Sequence, residues 1–147
     1  MRKGADMASK IVLLIEDNRG DDRLTFRTLC KNNIMDEEVI ACGGDEAVRF
    51  LYSVGAIATP SLIVIDLEMP SKWGFDLLER IRAESSTAHV PIVVLTQSGD
   101  IPDVVRAYSK GANSYIAKPI DPKSYEEIIT QMLMYWLLLN EPSPGRV

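Results

Sequence analysis

The sequence is poor in the features that mark several large classes of protein. It has two cysteines, Cys30 and Cys42, no CxxC pair, and no secretory apolar stretch at its N-terminus. A disulfide framework is therefore not expected, and reduced thiols in the cytoplasm are the default. The longest apolar run, near Met132 to Leu139, falls far short of the ~20 residues that cross a bilayer. A basic excess is also missing. The formal net charge is −5 with the acids dispersed, which argues against a nucleic-acid surface and against binding to an anionic membrane. The single histidine, His89, lies in a polar loop before Pro91 and reads as solvated rather than catalytic. No internal repeat or low-complexity segment interrupts the chain.

What is present suffices for one compact domain. The chain has 147 residues, 46% of them apolar, enough to bury a full core. Met1 to Ser9 is a polar leader expected to be disordered, residues 10–141 are expected to form the domain, and 142–147 a tail. The organising stretch is Ser61 to Pro70, SLIVIDLEMP. Four apolar residues, Leu62 to Ile65, run straight into Asp66. A short unbroken apolar run between prolines reads as a strand buried on both faces, which occurs in parallel sheets covered by helices. Ligands of such sheets bind beyond the carboxyl ends of the strands, where Asp66 falls.

The same pattern recurs along the chain. Lys10 to Ile15 is a second apolar strand, ending on Glu16 and Asp17. After an NRGD turn, Asp21 or Asp22 serves as N-cap of a helix reaching about Asn32. Glu38 to Cys42 is a shorter strand, followed by Gly43-Gly44 and a helix capped by Asp45. Gly74 opens a helix containing Phe75, Leu77, Leu78 and Ile81. Pro91 to Leu95 is a strand ending at Thr96, and Ser98 to Pro102 leads into a helix with Val104, Val105 and Tyr108. Gly111 stands where a C-terminal cap glycine belongs. Asn113 to Ala117 is the last strand, ending in Lys118-Pro119, and Asp121-Pro122 starts a helix running to about Asn140. Strands alternating with helices predict a doubly wound α/β domain with a parallel sheet, for which the flavodoxin-like order 2-1-3-4-5 is the common solution at this size.

The strand ends carry the chemistry. If strands one, three, four and five are neighbours, Glu16, Asp17, Asp66, Thr96 and Lys118 converge in one cleft. Three carboxylates there repel one another unless a cation intervenes. One ammonium cannot offset three acids, and hard oxygen ligands suit Mg²⁺, so a divalent metal is expected between Glu16, Asp17 and Asp66. An aspartate beside Mg²⁺ and a lysine is equipped to attack phosphorus, the two cations neutralising charge on the phosphoryl oxygens. Thr96 could then hydrogen-bond the acyl phosphate.

With LLIED, LIVIDLEMP followed by Gly74, VVLT and YIAKP in place, the chain resembles the receiver domain of two-component response regulators. The resemblance covers about Ile11 to Leu139. It implies the strand order 2-1-3-4-5 and phosphorylation of Asp66 by a kinase phosphohistidine. It also implies Mg²⁺ held by Glu16, Asp17, Asp66 and the backbone carbonyl of Glu68, with Lys118 as phosphate partner, Thr96 and Tyr115 as a switch pair, and a cis Lys118-Pro119 peptide. EDNRGDDRL, VVLTQS and a long last helix ending in MYWLLLNEP are similar to the single-domain regulators that partner phytochrome kinases. From the residues alone, Tyr115 is either core or switch, and Trp73 either an exposed aromatic or a lid beside the cleft.

The function expected is that of a signalling receiver, not an enzyme with turnover beyond its own phosphorylation and dephosphorylation. No output domain fits after Asn140, so signalling is expected through protein contact. The alternative from the enzyme class is an aspartyl-phosphate hydrolase, which also uses Asp, Thr, Lys and acid pairs around Mg²⁺. In such enzymes, however, the nucleophile motif ends the first strand and the acid pair comes last, the reverse of the order here. A third reading, a degenerate receiver used only for dimerisation, is opposed by the complete acid, Thr and Lys set. On the last helix, Tyr125, Ile128, Ile129, Met132, Leu133, Trp136 and Leu137 suffice for a core-facing stripe. Met134, Tyr135, Leu138 and Leu139 are left over, and a homodimer through this helix is expected.

Overall fold

The computed structural model describes residues 10–16, 24–53, 58–67 and 71–144. The expected leader and the Asp21 or Asp22 cap lie outside these residues. Strands β1 (Ile11–Glu16), β2 (Glu38–Cys42), β3 (Leu62–Leu67), β4 (Ile92–Thr96) and β5 (Ser114–Ala117) alternate with helices α1 (Leu24–Asn32), α2 (Gly44–Tyr52), α3 (Lys72–Ala83), α4 (Ile101–Ser109) and α5 (Pro122–Leu133). The strands pair in parallel in the order β2-β1-β3-β4-β5, as the alternation of elements predicts.

Both faces of the sheet are covered, which is why the central strands read as continuous apolar runs. Side chains alternate across the pleat. Val12, Leu14, Leu62, Val64, Val93 and Leu95 pack with Leu29 of α1 and with Tyr125, Ile129 and Leu133 of α5. Leu13, Ile15, Ile63, Ile65, Ile92 and Val94 pack with Ala47 of α2, Phe75, Leu78 and Ile81 of α3, and Ala107 of α4. Each fully buried aliphatic side chain contributes about 1.5–3 kcal/mol relative to exposure.

Several local expectations are revised by the structure. Helix α2 begins at Gly44 with Gly43 as its N-cap, and the Gly43 amide donates to Glu46 Oε1 at 2.9 Å. Asp45 is therefore a first-turn acid, favourable to the helix dipole, and not the cap. Helix α3 starts two residues before Gly74, with Ser71 Oγ accepting from the Gly74 amide at 3.4 Å. Gly74 has a different purpose: a Cβ there would lie 2.8 Å from Leu67 Cδ1, so the missing side chain lets α3 close onto the end of β3. On α4, Ala107 is buried while Val105 and Tyr108 are exposed. Gly111 has φ +112°, the left-handed conformation expected of a helix-ending glycine.

The Lys118–Pro119 peptide, implied to be cis, is trans, for no cis bond occurs among the described residues. Trans is the intrinsically favoured isomer even before proline, by ~0.5–1 kcal/mol. The Lys118 amide donates to the Thr96 carbonyl at 2.8 Å, which carries the pairing with β4 one residue past β5.

The last helix is α-helical only to Leu133. Met134–Leu139 continues as a π-helix, closed by the Asn140 amide donating to the Tyr135 carbonyl at 2.6 Å. Its two faces divide as the spacing predicts. Met132, Leu133 and Leu137 are buried and Trp136 is half-buried, whereas Met134, Tyr135, Leu138 and Leu139 are 44%, 48%, 48% and 73% exposed.

Candidate functional site

The register of the sheet gathers the strand-end residues on one edge. Glu16 and Asp66 are direct partners across β1 and β3, Leu67 faces Thr96 across β3 and β4, and Thr96 faces Ala117, the residue before Lys118. Asp66 follows Leu62 and Val64 at period two, and Glu16 follows Val12 and Leu14, so both acids continue the face covered by α1 and α5. Thr96 follows Ile92 and Val94 onto the opposite face, which Tyr115 also packs against. Asp17 and Glu68, the other expected site residues, lie outside the described residues.

Charge organises the edge. Glu16 and Asp66 are 5% and 7% exposed, an unfavourable placement for carboxylates unless cations compensate them. Lys118 Nζ forms an ion pair with Asp66 Oδ1, both side chains largely buried. The same ammonium lies 5.9 Å from the ring centroid of Tyr125, whose hydroxyl is 2.6 Å from Thr25 Oγ1 on α1. Lys118 thus holds the carboxylate while its ammonium lies over an aromatic ring of α5. Like charges on adjacent strands repel, and the Lys118 ammonium counters that repulsion at Asp66.

These residues fit a hard divalent cation. Two buried carboxylates in register supply the hard oxygen ligands that such a cation takes. Among the described residues no group of three His, Cys, Asp or Glu side chains gathers; the third acid expected, Asp17, directly follows Glu16 in sequence.

Thr96 is fully buried at the end of β4, and its Oγ1 accepts from the Ser98 amide at 3.4 Å. Tyr115 Oη donates to the Ser98 carbonyl at 2.7 Å, so the two expected switch residues meet at Ser98 and not at each other. The Ser98 hydroxyl in turn donates to Asp103 Oδ2 at 2.7 Å, on the first turn of α4. Helix α4 has no cap bond from its own N-cap, Asp100, and this charge-assisted bond fastens its start instead. Burial raises the Tyr115 pKa above its ordinary value, with the Asp103 and Asp100 carboxylates pushing the same way, and the phenol remains a proton donor. Sequence reasoning passed over Ser98 because its bond to Asp103 spans five residues, not the three of a capping box.

Trp73 is 36% exposed and lies against the start of α2, where a Cβ on Gly44 would be 3.0 Å from its ring. Gln97 is exposed beside Thr96, and His89 is half-buried at the other end of the molecule.

Comparison with known proteins agrees with this geometry. The family profile of the response regulator receiver domain matches residues 12–130. Response regulator Rcp1 of Synechocystis sp. is 32% identical over 131 residues, which are 87% of this chain and 89% of Rcp1. The crystal structure of the phosphorylated cyanobacterial phytochrome response regulator RcpA superposes with a TM-score of 0.80 at 30% identity, covering 94% of this chain and 100% of that one. The Mn²⁺-bound form of Rcp1 gives a TM-score of 0.73 at 28% identity over 91% of this chain and 99% of that one.

Proposed function

Because this chain belongs to the response regulator receiver family, we propose that it accepts a phosphoryl group on Asp66 from the phosphohistidine of a sensor histidine kinase and signals by protein contact. The observation that carries this reading is the Lys118–Asp66 ion pair at the carboxyl edge of the sheet, beside Glu16 and one strand from Thr96. An Asp66 carboxylate oxygen attacks phosphorus, the new O–P bond forms as the N–P bond of the donor breaks, and the imidazole leaves with the electron pair. Lys118 holds the nucleophile by its ion pair and then follows the developing charge onto a phosphoryl oxygen. Thr96 donates its hydroxyl to the acyl phosphate, giving up its bond from the Ser98 amide, and Tyr115 responds through the same residue. Glu16, Asp17, Asp66 and the Glu68 carbonyl would hold Mg²⁺, which neutralises phosphoryl charge when bound. The likeness to RcpA and Rcp1 supports a phytochrome-type kinase as donor. The working compartment on this reading is that of the kinase phosphohistidine, the cytoplasm.

Acetyl phosphate with Mg²⁺ tests the assignment. Mass spectrometry is expected to show one added phosphoryl group on the wild type and none on Asp66→Asn; labelling of the Asn variant would overturn it.

The exposed face of the last helix supports a homodimer. Met134, Tyr135, Leu138 and Leu139 are exposed within six residues of one helix, and clustered apolar side chains of this kind mark a contact site. A self-complementary two-fold contact is the commonest solution for a single chain. Sedimentation at micromolar concentration is expected to give a dimer, and Tyr135→Glu combined with Leu138→Glu a folded monomer.

A further inference from the structure

The edge of the sheet opposite Asp66 contains a cavity of about 190 Å³. Its walls are the residues that lead into three strands: Lys10 before β1, Ser61 before β3, and His89 with Pro91 before β4. The fourth wall is the end of the last helix, Trp136 and Asn140. Five residues of extended strand separate Ser61 from Asp66, about 17 Å, so this cavity is distinct from the phosphoryl chemistry.

Four observations converge on what it would hold. Lys10 and His89 are the only titratable side chains lining it, no carboxylate does so among the described residues, and neither basic side chain is ion-paired with a described acid. Trp136 adds an indole, and Ser61 and Asn140 add hydrogen-bonding groups. The helix that supplies Trp136 and Asn140 is in π form at this point. Such turns are rare and occur frequently at functional sites; the wider turn sets residues four apart along one wall. The volume lies below the ~300 Å³ at which pockets for drug-sized molecules begin, and it suits a single ring with one charged substituent.

We propose that this cavity binds a small single-ring organic anion. Its ring lies against Trp136, and its carboxylate or phosphate ester oxygens lie toward Lys10 and His89. Tyr135 packs edge-on against Trp136, with ring centroids 4.9 Å apart, so an occupied cavity abuts the apolar face of the last helix. The ligand thereby adds a second input to the molecule, remote from Asp66.

The sequence contains two tryptophans, Trp73 and Trp136, so the full chain carrying Trp73→Phe reports on Trp136 alone. Benzoate, phenyl phosphate, the neutral benzamide and inorganic phosphate are titrated against its fluorescence. A saturable change is expected with at least one of the two aromatic anions at a Kd on the order of 1 mM or tighter, and benzoate against phenyl phosphate distinguishes carboxylate from phosphate ester. Benzamide and inorganic phosphate should bind at least ~10-fold more weakly, a difference of about 1.4 kcal/mol. Lys10→Gln or His89→Gln should weaken the anion by a similar factor, Lys10→Arg should retain it, and Asp66→Asn should leave it unchanged. The proposal is overturned by no saturable change with either aromatic anion, by equal binding of benzamide, or by unaltered affinity in both glutamine variants. Circular dichroism establishes that each variant compared is folded.

Discussion

The two edges of the sheet solve the same problem, a charge drawn wholly or partly out of water, in opposite ways. At the carboxyl edge, Lys118 meets the charge of Asp66, with Glu16 beside it. At the amino edge, Arg82 near the end of α3 meets only neutral oxygens. Its Nε and Nη2 donate to the Gly111 carbonyl at 3.0 and 2.8 Å, and its Nη1 to the carbonyls of Ala88 and Val90 at 2.7 and 2.9 Å. Nη2 also donates to Asn113 Oδ1 at 2.7 Å, an oxygen that accepts from the Ile92 amide as well. The guanidinium therefore ties α3, the start of β4 and the start of β5 together, and burial lowers its pKa without neutralising it. A charge held by dipoles has one arrangement and locks the chain. A charge held by another charge can exchange its partner for an incoming anion, and that freedom belongs where the chemistry is.

Replacing each cation should separate the two roles. Arg82→Leu removes every one of these bonds and is expected to destabilise the fold by about 2–4 kcal/mol, because hydrogen bonds to a charged group contribute about 1.5–3 kcal/mol each and several oxygens lose their partner together. Urea denaturation measures the loss, and the fraction still folded should incorporate phosphate at Asp66 normally. Lys118→Met should cost less stability, about 1–3 kcal/mol, because it removes one ion pair and no backbone anchor. Its effect on phosphoryl incorporation should be large. If Lys118→Met proves the more damaging to stability, the contrast between the edges fails.

The smallest effect is a titration. Each edge has a tyrosine whose pKa is raised chiefly by burial: Tyr115, bonded to Ser98, at the carboxyl edge, and Tyr52, with its hydroxyl 2.8 Å from Thr87 Oγ1, at the amino edge. A raised pKa means the folded state holds the proton more tightly. The stabilisation is then fully present below the unfolded tyrosine pKa of about 10 and is lost as pH rises through the folded value. Denaturation midpoints should stay level up to about pH 9 and fall toward about pH 11. Tyr115→Phe and Tyr52→Phe should each flatten part of that fall; no change from either would remove tyrosine ionisation as its cause.

Much of this molecule was legible before folding. Unbroken runs such as Leu62 to Ile65 exclude water from both faces, and only a helix-covered parallel sheet satisfies such strands. Their carboxyl ends share one edge in any parallel arrangement, so Glu16, Asp66, Thr96 and Lys118 could be gathered from spacing alone. The exposed set Met134, Tyr135, Leu138 and Leu139 likewise follows from helical geometry, a local property. What tertiary structure decided rests on contacts between residues far apart in the chain. Arg82 finds Gly111 and Asn113 across about thirty positions, and no periodicity records that meeting. Ser98 became the junction of Thr96, Tyr115 and Asp103 because β4, β5 and α4 converge there. Gly74 reads locally as a helix opener, yet its role is set by Leu67, which presses where a side chain would be. The trans peptide at Pro119 follows the same division. Proline brings the two isomers close in energy, so the sequence does not decide between them, and in this structure the bond is trans.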